Sequence, residues 1–467
     1  MEAQKKGEGL KVKGKGIHFV GIGGVGMSAL AWILLQKGEV VSGSDIKKTA
    51  PIQRLQESGA TVYIGHRREN IENARLLVVS SAISSSNPEL LEARKRGIRI
   101  ISRAEMLAEL MKGKKGIIIT GSHGKTTTTS MISLILDRAG FNPGFAIGGY
   151  VDALEGNANA GRGEYFVAEA DESDGSFLKL SPWIAVATNI EAEHLNYYGS
   201  MDALKRAFWK FVSGIPSCGT AILNADCKNV MQIIRKKDSL KCRVIAYTVK
   251  KMDADFCAVD IHLNEWSSRF TVIEKNRKLG ILELQVPGLH NVSNALAATA
   301  AGLKTGIEFE RIKSALKDFR GAHRRFEKKG EEKGVLVIDD YAHHPSEIDA
   351  TMRAARNLKR RRLIVIFQPH RYSRTKLLGK ELGRALSHTD VVIVTRIYSA
   401  GEKAIKGVDP GLILGGIKSR YKKYIGNREK IISCVMNILR PGDLLLTMGA
   451  GDVYTIGEEI LERLKRK

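Results

Sequence analysis

The sequence predicts an α/β protein with roughly three domains. Three observations support this prediction. Runs of β-branched residues repeatedly end in polar or glycine-rich loops, and helical patterns follow those loops. Two of the loops are glycine motifs, at residues 21–26 and 121–126. The length of 467 residues is about three times that of a typical domain.

The composition is that of an ordinary soluble protein, with 43% hydrophobic and 27% charged residues. No apolar run approaches the roughly 18 residues needed to span a bilayer, so we expect no membrane insertion. Residues 1–15 are rich in Lys and Gly without an apolar stretch, which predicts a disordered basic lead-in rather than a signal peptide. The five cysteines form no CxxC pair, which favours free thiols and a cytoplasmic location.

A net charge of +24 raises the question of nucleic-acid binding. The Lys and Arg residues are scattered, however, and no aromatic-interleaved basic patch is present. We therefore predict no nucleic acid as ligand, although an ATPase that binds nucleic acid stays open as an alternative. A basic cleft would also attract small polyanionic substrates.

The first α/β unit begins with a strand at residues 16–20 and continues into Gly21-x-Gly23-x-x-Gly26 and an apolar helix. A second strand at 40–41 precedes Asp45, about 20 residues beyond the glycines. This pattern fits a pyrophosphate on a glycine turn and an acid on a ribose. It leaves open whether the ligand is NAD, as in an oxidoreductase, or another nucleotide. Ser80 and Ser81 follow a third strand at 76–79.

The second unit is organised around a phosphate-binding loop, Gly121-x-x-Gly124-Lys125-Thr126, between a strand at 117–120 and a helix. In such loops backbone N–H groups surround phosphate oxygens, lysine neutralises β/γ charge, and the threonine hydroxyl can ligate Mg²⁺. Ile119 stands where the general motif has its first glycine. The loop predicts ATP and Mg²⁺ as cofactors.

Two further strands, at 164–168 and 184–188, end in acidic clusters that include Glu169 and His194. In a parallel sheet the ends of these strands and of 117–120 lie at one edge, so they could surround one Mg-nucleotide. A loop with His290, Asn291 and Asn294 precedes a helix over 295–302, and an N-cap explains part of it.

A third α/β unit follows residue 321, with strands at 335–338, 363–367, 391–394 and 444–447 that each end in a polar loop. Seven of the eleven histidines lie in strand-end loops of the chain: 123, 194, 290, 323, 343, 344 and 370. Clustered with Arg, Asp and Gly, such histidines indicate phosphate, metal or proton chemistry.

The strand-end loops together resemble those of the Mur ligase family, in order and over nearly the whole chain. The matching segments are residues 18–27, 120–128, 169–174, 188–194, 290–294, 324–326, 339–345, 368–374 and 448–452. Within the family, the first glycine motif and the 339–345 loop resemble the alanine-adding member. The recycling member that adds a tripeptide shares several loops and stays an alternative.

The resemblance implies three domains: a Rossmann-like UDP-sugar domain (16–111), a central P-loop-type ATPase domain with a mixed sheet (112–321), and a Rossmann-like amino-acid domain (322–467). It implies an ATP-dependent ligase of peptidoglycan precursor synthesis that joins L-alanine to the lactoyl carboxylate of UDP-N-acetylmuramate through an acyl phosphate. The first glycine motif would then bind UDP rather than NAD. We expect a monomer or homodimer whose domains close over the substrates.

The resemblance also implies residue roles. Lys125, Glu169 and His194 would be catalytic. Thr126 and Glu169 would hold one Mg²⁺, and His194 would hold a second. ATP would contact Gly121, Ser122, His123, Gly124, Lys125, Thr126, Thr127, His290, Asn291, Asn294, Arg325 and Asp340. UDP-sugar would contact Gly21, Gly23, Gly24, Gly26, Met27, Asp45, His66, Ser80, Ser81 and Arg103. L-alanine would contact His343, Arg371 and Arg374. Trp209 stands where several relatives have a carbamylated lysine, so we predict no such modification.

Overall fold

A computed structural model of the chain describes residues 16–250 and 253–466. These residues form three α/β domains in chain order, each built on its own sheet, which confirms the predicted fold class. The predicted lead-in, residues 1–15, lies outside the described residues. Within the described ranges no helix is both long and apolar enough to cross a bilayer. All five cysteines are free thiols.

The N-terminal domain is a parallel sheet flanked by helices, as expected for a Rossmann-like unit. Its elements are β1 (Gly16–Val20), α1 (Val25–Gln36), β2 (Val41–Asp45), α2 (Ala50–Glu57), β3 (Thr61–Ile64), β4 (Ala74–Val79), α3 (Pro88–Lys95), β5 (Arg99–Ser102) and α4 (Arg103–Met111). The strand order is β3-β2-β1-β4-β5. β2 extends four residues beyond the apolar pair Val40 and Val41 that predicted it. Gly43 lies there because a Cβ would come within 2.5 Å of Ile22.

The central domain contains a mixed sheet of ten strands. Its elements are β6 (Lys115–Thr120), α5 (Lys125–Arg138), β7 (Gly144–Val151), β8 (Gly156–Asn159), β9 (Tyr165–Glu169), β10 (Ile184–Ala187), α6 (Leu195–Tyr198), α7 (Met201–Ser213), β11 (Thr220–Asn224), α8 (Lys228–Ile234), β12 (Arg243–Thr248), β13 (Phe256–Leu263), β14 (Ser268–Glu274), β15 (Arg277–Leu284), α9 (Leu289–Lys304) and α10 (Phe309–Lys317). The order is β15-β14-β13-β12-β11-β10-β6-β9-β7-β8, with β13 to β15 antiparallel.

β6 lies between β10 and β9 and pairs with both in parallel. The three strand ends that the sequence predicted to share an edge are therefore adjacent. β6 and β10 are buried along almost their whole length, as expected for strands in the middle of an α/β sheet.

The C-terminal domain is a six-stranded sheet with the order β16-β17-β21-β18-β19-β20. Its elements are β16 (Glu327–Glu332), β17 (Val335–Asp340), α11 (Pro345–Asn357), β18 (Arg362–Phe367), α12 (Tyr372–Ala385), β19 (Val391–Val394), α13 (Gly411–Leu414), β20 (Tyr421–Tyr424), α14 (Arg428–Ile438), β21 (Asp443–Met448) and α15 (Tyr454–Arg466). All neighbours are parallel except β16 and β17.

The hydrophobic cores are divided unequally among the domains. One cluster includes Leu30 and Met106 of the N-terminal domain together with Ala158 and Phe166 of the central domain. The C-terminal domain has two clusters of its own, one on each face of its sheet, with only Trp266 of the central domain packed against one of them. The first two domains thus share a core that the third does not.

Candidate active site

The loop between β6 and α5 has the backbone geometry of a phosphate cradle. Gly121 and Gly124 have φ values of +130° and +80°, which side chains rarely adopt. A Cβ at Gly121 would lie 2.2 Å from the Thr188 hydroxyl, so β6 and β10 approach each other too closely for any side chain there. The N-terminus of α5 begins at Lys125 without a side-chain cap, and its first N–H groups are available to an anion.

Lys125 is held by protein partners at the base of this loop. Its Nζ donates to both carboxylate oxygens of Glu172, at 3.0 and 3.1 Å, and to the carbonyl oxygens of Gly121 and Ser122. Burial alone would lower the pKa of Lys125, but the charges of Glu172 and Asp171 outweigh burial and raise the pKa. Lys125 is therefore a fully charged ammonium group.

Thr126 and Glu169 form the first candidate cation site. The Thr126 hydroxyl donates to Glu169 Oε2 at 3.1 Å, and the other Glu169 oxygen accepts from the Gly148 N–H at 2.5 Å. Arg325, from the segment that leads into the C-terminal domain, donates to the Thr126 hydroxyl at 3.4 Å. A hydroxyl and a carboxylate side by side are ligands that Mg²⁺ prefers.

A second candidate cation site lies beside the first. One ligand atom from each of Glu172, Glu193 and His194 falls within 4.8 Å of the other two. Burial lowers the pKa of His194 to about 4 and raises the pKa of Glu193 to about 7. A neutral imidazole is the form that ligates metals. The sequence-predicted ligands Glu169 and His194 thus lie in two separate groups.

A cavity of about 890 Å³ opens between the central and C-terminal domains. Nine of the residues predicted to contact ATP line it: His123, Gly124, Thr126, Thr127, His290, Asn291, Asn294, Arg325 and Asp340. The other three, Gly121, Ser122 and Lys125, do not line the cavity but belong to the same loop and to the start of α5. Asp340 accepts hydrogen bonds from the backbone N–H groups of Phe326 and Ala342, both at 2.7 Å. Burial raises the pKa of Asp340 to about 6.

The N-cap interpretation of His290 and its neighbours is wrong. α9 begins at Leu289 rather than near residue 295, its N-cap is Gly288, and no side chain caps it. The Asn291 amide donates to the Pro287 carbonyl at 2.7 Å, and Asn294 donates to Asn291 at 3.4 Å. The polar residues therefore occupy the first turns of the helix, where they border the cavity.

His123 connects the phosphate loop to the C-terminal domain. Its Nε2 lies 2.7 Å from the Ser346 hydroxyl and 3.2 Å from Glu191, and its Nδ1 lies 3.3 Å from Glu347. Burial lowers its pKa, but the two carboxylates outweigh burial and raise the pKa to about 10. Sequence reasoning missed Ser346 and Glu347, because residues just inside a helix that begins with Pro345 are typical of ordinary helix starts.

Two of the three residues predicted for L-alanine, His343 and Arg374, lie beside His370 in the C-terminal domain. The His343 and His370 rings are 5.5 Å apart, and Arg374 contacts the His370 ring at 3.1 Å. Burial lowers the pKa of His343 well below its ordinary value, so the ring is neutral. Arg371 is exposed at the start of α12, with a φ of +71°.

The residues predicted for the UDP-sugar lie at the carboxyl edge of the N-terminal sheet. Gly23 donates to Asp45 at 2.9 Å, and Gly26 faces the Arg103 side chain. Gly21 and Ser80 are neighbours, Gly24 is the N-cap of α1, and Ser81 is exposed. His66 bonds to Ser44 and to a buried Glu89, a residue that the sequence did not single out. Met27 is buried in the core beneath the loop.

Comparison with models of protein families identifies the family of the chain. Three family models match in succession: "Mur ligase family, catalytic domain" at residues 16–115, "Mur ligase middle domain" at 119–302, and "Mur ligase, glutamate ligase domain" at 324–451. The chain belongs to the Mur ligase family. The predicted resemblance is thereby confirmed, and the glycine motif at 21–26 falls within the first Mur ligase match.

Curated Mur ligases resemble the chain over nearly its whole length. The UDP-N-acetylmuramate–L-alanine ligase of Pelotomaculum thermopropionicum is 48% identical over 456 residues, covering 97% of this chain and 98% of that protein. The enzyme of the same name from Dictyoglomus turgidum is 48% identical, covering 96% and 97%.

Among solved Mur ligase structures, UDP-N-acetylmuramate–alanine ligase from Thermotoga maritima matches with a TM-score of 0.83 and 29% identity, covering 97% of this chain and 99% of that one. A murein peptide ligase from Psychrobacter arcticus matches with a TM-score of 0.75 and 27% identity, again covering 97% and 99%. Both share the three-domain architecture described above.

Proposed function

We propose that this Mur ligase joins L-alanine to the lactoyl carboxylate of UDP-N-acetylmuramate at the expense of ATP, in peptidoglycan precursor synthesis. The observation that carries the proposal is the identity of 46–48%, over nearly the full chain, with curated enzymes named for this reaction. The site described above has the groups that such a reaction needs: a phosphate loop, candidate cation ligands, and arginine side chains in the segment where the C-terminal domain begins.

ATP would occupy the cavity between the central and C-terminal domains. Its phosphates would lie on the N–H groups at the start of α5, and its base and ribose would meet His290, Asn291, Asn294 and Asp340. Lys125 would turn from Glu172 to the β/γ-phosphates, since it is already charged and close to the loop. Arg325 would approach the γ-phosphate side, because it already contacts Thr126.

The donor sets fit Mg²⁺. Thr126 and Glu169 would hold one ion, and His194 with Glu172 and Glu193 would hold a second. Bound there, Mg²⁺ would neutralise the negative charge that two anions bring together. Thr126 lies in the first turn of α5 and Glu169 ends β9, whereas Glu172, Glu193 and His194 lie in the loops that follow β9 and β10.

The chemistry is amide formation from a carboxylate, a poor electrophile. The lactoyl carboxylate oxygen attacks the γ-phosphorus, the bond to the ADP oxygen breaks, and an acyl phosphate forms. The amine of L-alanine then attacks the acyl carbon, and inorganic phosphate leaves with the former carboxylate oxygen. Lys125 and Arg325 would stabilise the transferring phosphoryl group by charge alone, which is the main requirement of phosphoryl transfer.

L-alanine would bind against His343, Arg371 and Arg374. A guanidinium group pairs with the amino-acid carboxylate in a fork geometry. The ammonium group of L-alanine must lose a proton before the amine attacks. The UDP-sugar would lie along the glycine loop of residues 21–26, with Asp45, His66, Ser80, Ser81 and Arg103 around it.

We further propose a cytoplasmic enzyme that acts as a monomer or homodimer on these small molecules. With domain bounds of 16–111, 112–321 and 322–467, the UDP-sugar would belong to the first domain and L-alanine to the third, while ATP would lie on the second domain with Arg325 and Asp340 reaching it from the third. Trp209 packs partly buried against the shared core and Lys210 is exposed, which supports a site without a carbamylated lysine.

The second candidate is a ligase that adds a whole peptide, because the murein peptide ligase of Psychrobacter arcticus also covers 97% of the chain. Phosphate release from ATP with Mg²⁺ and UDP-N-acetylmuramate tests the choice, comparing L-alanine with the tripeptide L-Ala-γ-D-Glu-meso-diaminopimelate. We expect release that requires L-alanine. Release with the tripeptide alone would favour the second candidate, and release with neither amine would overturn both substrate assignments.

A further inference from the structure

A buried carboxylate lies behind the candidate uridine side of the N-terminal domain. Glu89, in the first turn of α3, is 0% exposed. Its Oε2 accepts from the Ser44 hydroxyl at 2.6 Å and lies 3.1 Å from His66 Nδ1, and its Oε1 accepts from the Asn70 amide at 2.5 Å. His18 Nε2 approaches Oε1 at 3.7 Å.

The helix does not need this carboxylate. The side chain of Asn87 already caps α3 by accepting from the N–H groups of Glu89 and Leu90. A charge buried in a sheet-and-helix core costs free energy unless several donors converge on it. Those donors lower the pKa of Glu89 although its burial works in the opposite direction. The cluster is therefore built to keep an acceptor-only group at this place.

The hydrogen bonds determine which nitrogen of His66 carries the proton. The Ser44 hydroxyl has one proton and gives it to Glu89 at 2.6 Å. His66 Nδ1 lies 2.9 Å from that same hydroxyl oxygen and 3.1 Å from the carboxylate. Both neighbours can only accept from His66, so Nδ1 must be the donor. In a neutral ring, Nε2 then has a free lone pair.

His66 lies two residues beyond the end of β3, and Gly65 between them donates to the carbonyl oxygen of Asp45 at 2.8 Å. It therefore lies at the carboxyl edge of the sheet, where open α/β folds bind nucleotides. Among the residues that the structure describes, none is hydrogen-bonded to Nε2 of His66. The ring is partly exposed, with 15% of its side chain accessible.

We infer that Glu89 is a positioning residue that keeps the proton of His66 on Nδ1, so that Nε2 accepts a hydrogen bond from the uridine of the UDP-sugar. The possible donors on uridine are the two ribose hydroxyls and the imide N–H of uracil. This inference rests on the proposed function, since it needs a uridine nucleotide at this edge. In this arrangement the hydrogen bonds from Ser44 and Asn70 hold the Glu89 carboxylate in position.

The test measures UDP binding by calorimetry in the full-length chain and in Glu89→Gln. Glutamine offers one acceptor oxygen to donors on both sides, so either His66 or Asn70 loses its partner. We expect UDP to bind about tenfold more weakly, with kcat and the KM for ATP within twofold. The control is Glu92→Gln on the same helix, where the carboxylate pairs with Arg96 at the surface. It should leave all constants unchanged.

Two readouts separate positioning from a purely structural role. In ¹⁵N-histidine NMR, the ring signal absent from His66→Ala should show Nε2 as the unprotonated nitrogen in the wild type. Each of three UDP analogues lacks one of the possible donors: 2′-deoxy-UDP, 3′-deoxy-UDP and N3-methyl-UDP. For the analogue that lacks the true donor, Glu89→Gln should no longer lower the binding affinity. A proton on Nε2, or an undiminished loss with all three, overturns the inference.

A second variant covers the case in which Glu89→Gln does not fold. His66→Ala removes the acceptor directly and should also weaken UDP binding about tenfold. Wild-type affinity in His66→Ala would overturn the inference while the proposed function stands. Failure of the wild type itself to bind UDP would instead overturn the proposed function.

Discussion

Lys125 Nζ lies 3.0 and 3.1 Å from the two carboxylate oxygens of Glu172, whose side chain is only 1% exposed. The lysine of the phosphate loop is thus neutralised by the protein before any nucleotide is present. Under the proposed function the β/γ-phosphates would compete with Glu172 for the same ammonium group. Nucleotide binding would then free the Glu172 carboxylate next to His194 and Glu193, at the second candidate cation site.

Glu172→Gln should make the chain less stable without nucleotide and more responsive to it. Removing one partner of a buried ion pair leaves a charge without compensation, which costs about 3 kcal/mol. ATP phosphates can supply the missing charge, so the rise in Tm on adding ATP without Mg²⁺, where the cation-binding role of Glu172 plays no part, should be larger in the variant than in the wild type. Glu164→Gln, which breaks an exposed pair with Lys115, is the control. Equal rises in Tm would contradict the exchange of partners.

Lys125→Ala should reduce ATP-dependent phosphate release by about a hundredfold or more, because it removes a charge aimed at the transferring phosphoryl group. UDP-sugar affinity should stay within twofold, since the residues proposed for that ligand belong to the N-terminal sheet. Steady-state kinetics and calorimetry check the two quantities separately. A parallel loss of both would show that the two sites are not separate.

The contact of His123 with Ser346 should couple the phosphate loop to the C-terminal domain energetically. His123→Asn and Ser346→Ala should each lower kcat/KM for L-alanine about tenfold, and the double variant should lose little more than either single one. Ser373→Ala provides a control, because that hydroxyl bonds to Glu402 inside the C-terminal domain. If the fold-loss of kcat/KM in the double variant equals the product of the two single losses, His123 and Ser346 are not energetically coupled.

Glu105→Ala should destabilise the chain by about 1 kcal/mol at neutral pH by removing the capping box of α4. The backbone hydrogen bond from Ser102 lowers the pKa of Glu105 from 4.5 to about 2. The folded pKa is below the unfolded one, so this stabilisation is complete above about pH 4.5 and is lost as the pH falls towards 2. The Tm difference between wild type and variant should close over that range. A difference independent of pH would contradict the assignment.

The sequence predicted the features that depend on local patterns. The strand at 117–120, its glycine loop and its helix follow from periodicity and backbone requirements, and the shared edge of β9, β6 and β10 follows from the rule that parallel strand ends lie at one edge of a sheet. The predicted start of α9 was wrong because His290 and Asn291 are residue types typical of caps and turns. In the structure they lie inside the helix and border the cavity.

Other parts of the site could not be predicted because they join residues distant in the chain. Glu89 is separated from Ser44 by 45 positions and Ser346 from His123 by 223. Glu89 and Ser346 are each by themselves ordinary helix-start residues. Only the packing of the sheet and of the third domain brings them to their partners, and no local pattern encodes that approach.

The shared core of the first two domains has a consequence for the timing of the reaction. Leu30 and Phe166 belong to one hydrophobic cluster, and Gln36 also accepts a hydrogen bond from the backbone of Ala160 across the same junction. The carboxylate and the phosphate loop would therefore be held on one continuous unit. The amine would arrive on the C-terminal unit, which also brings Arg325 and Asp340 to the nucleotide, so we expect activation and delivery to require the same approach of the third domain.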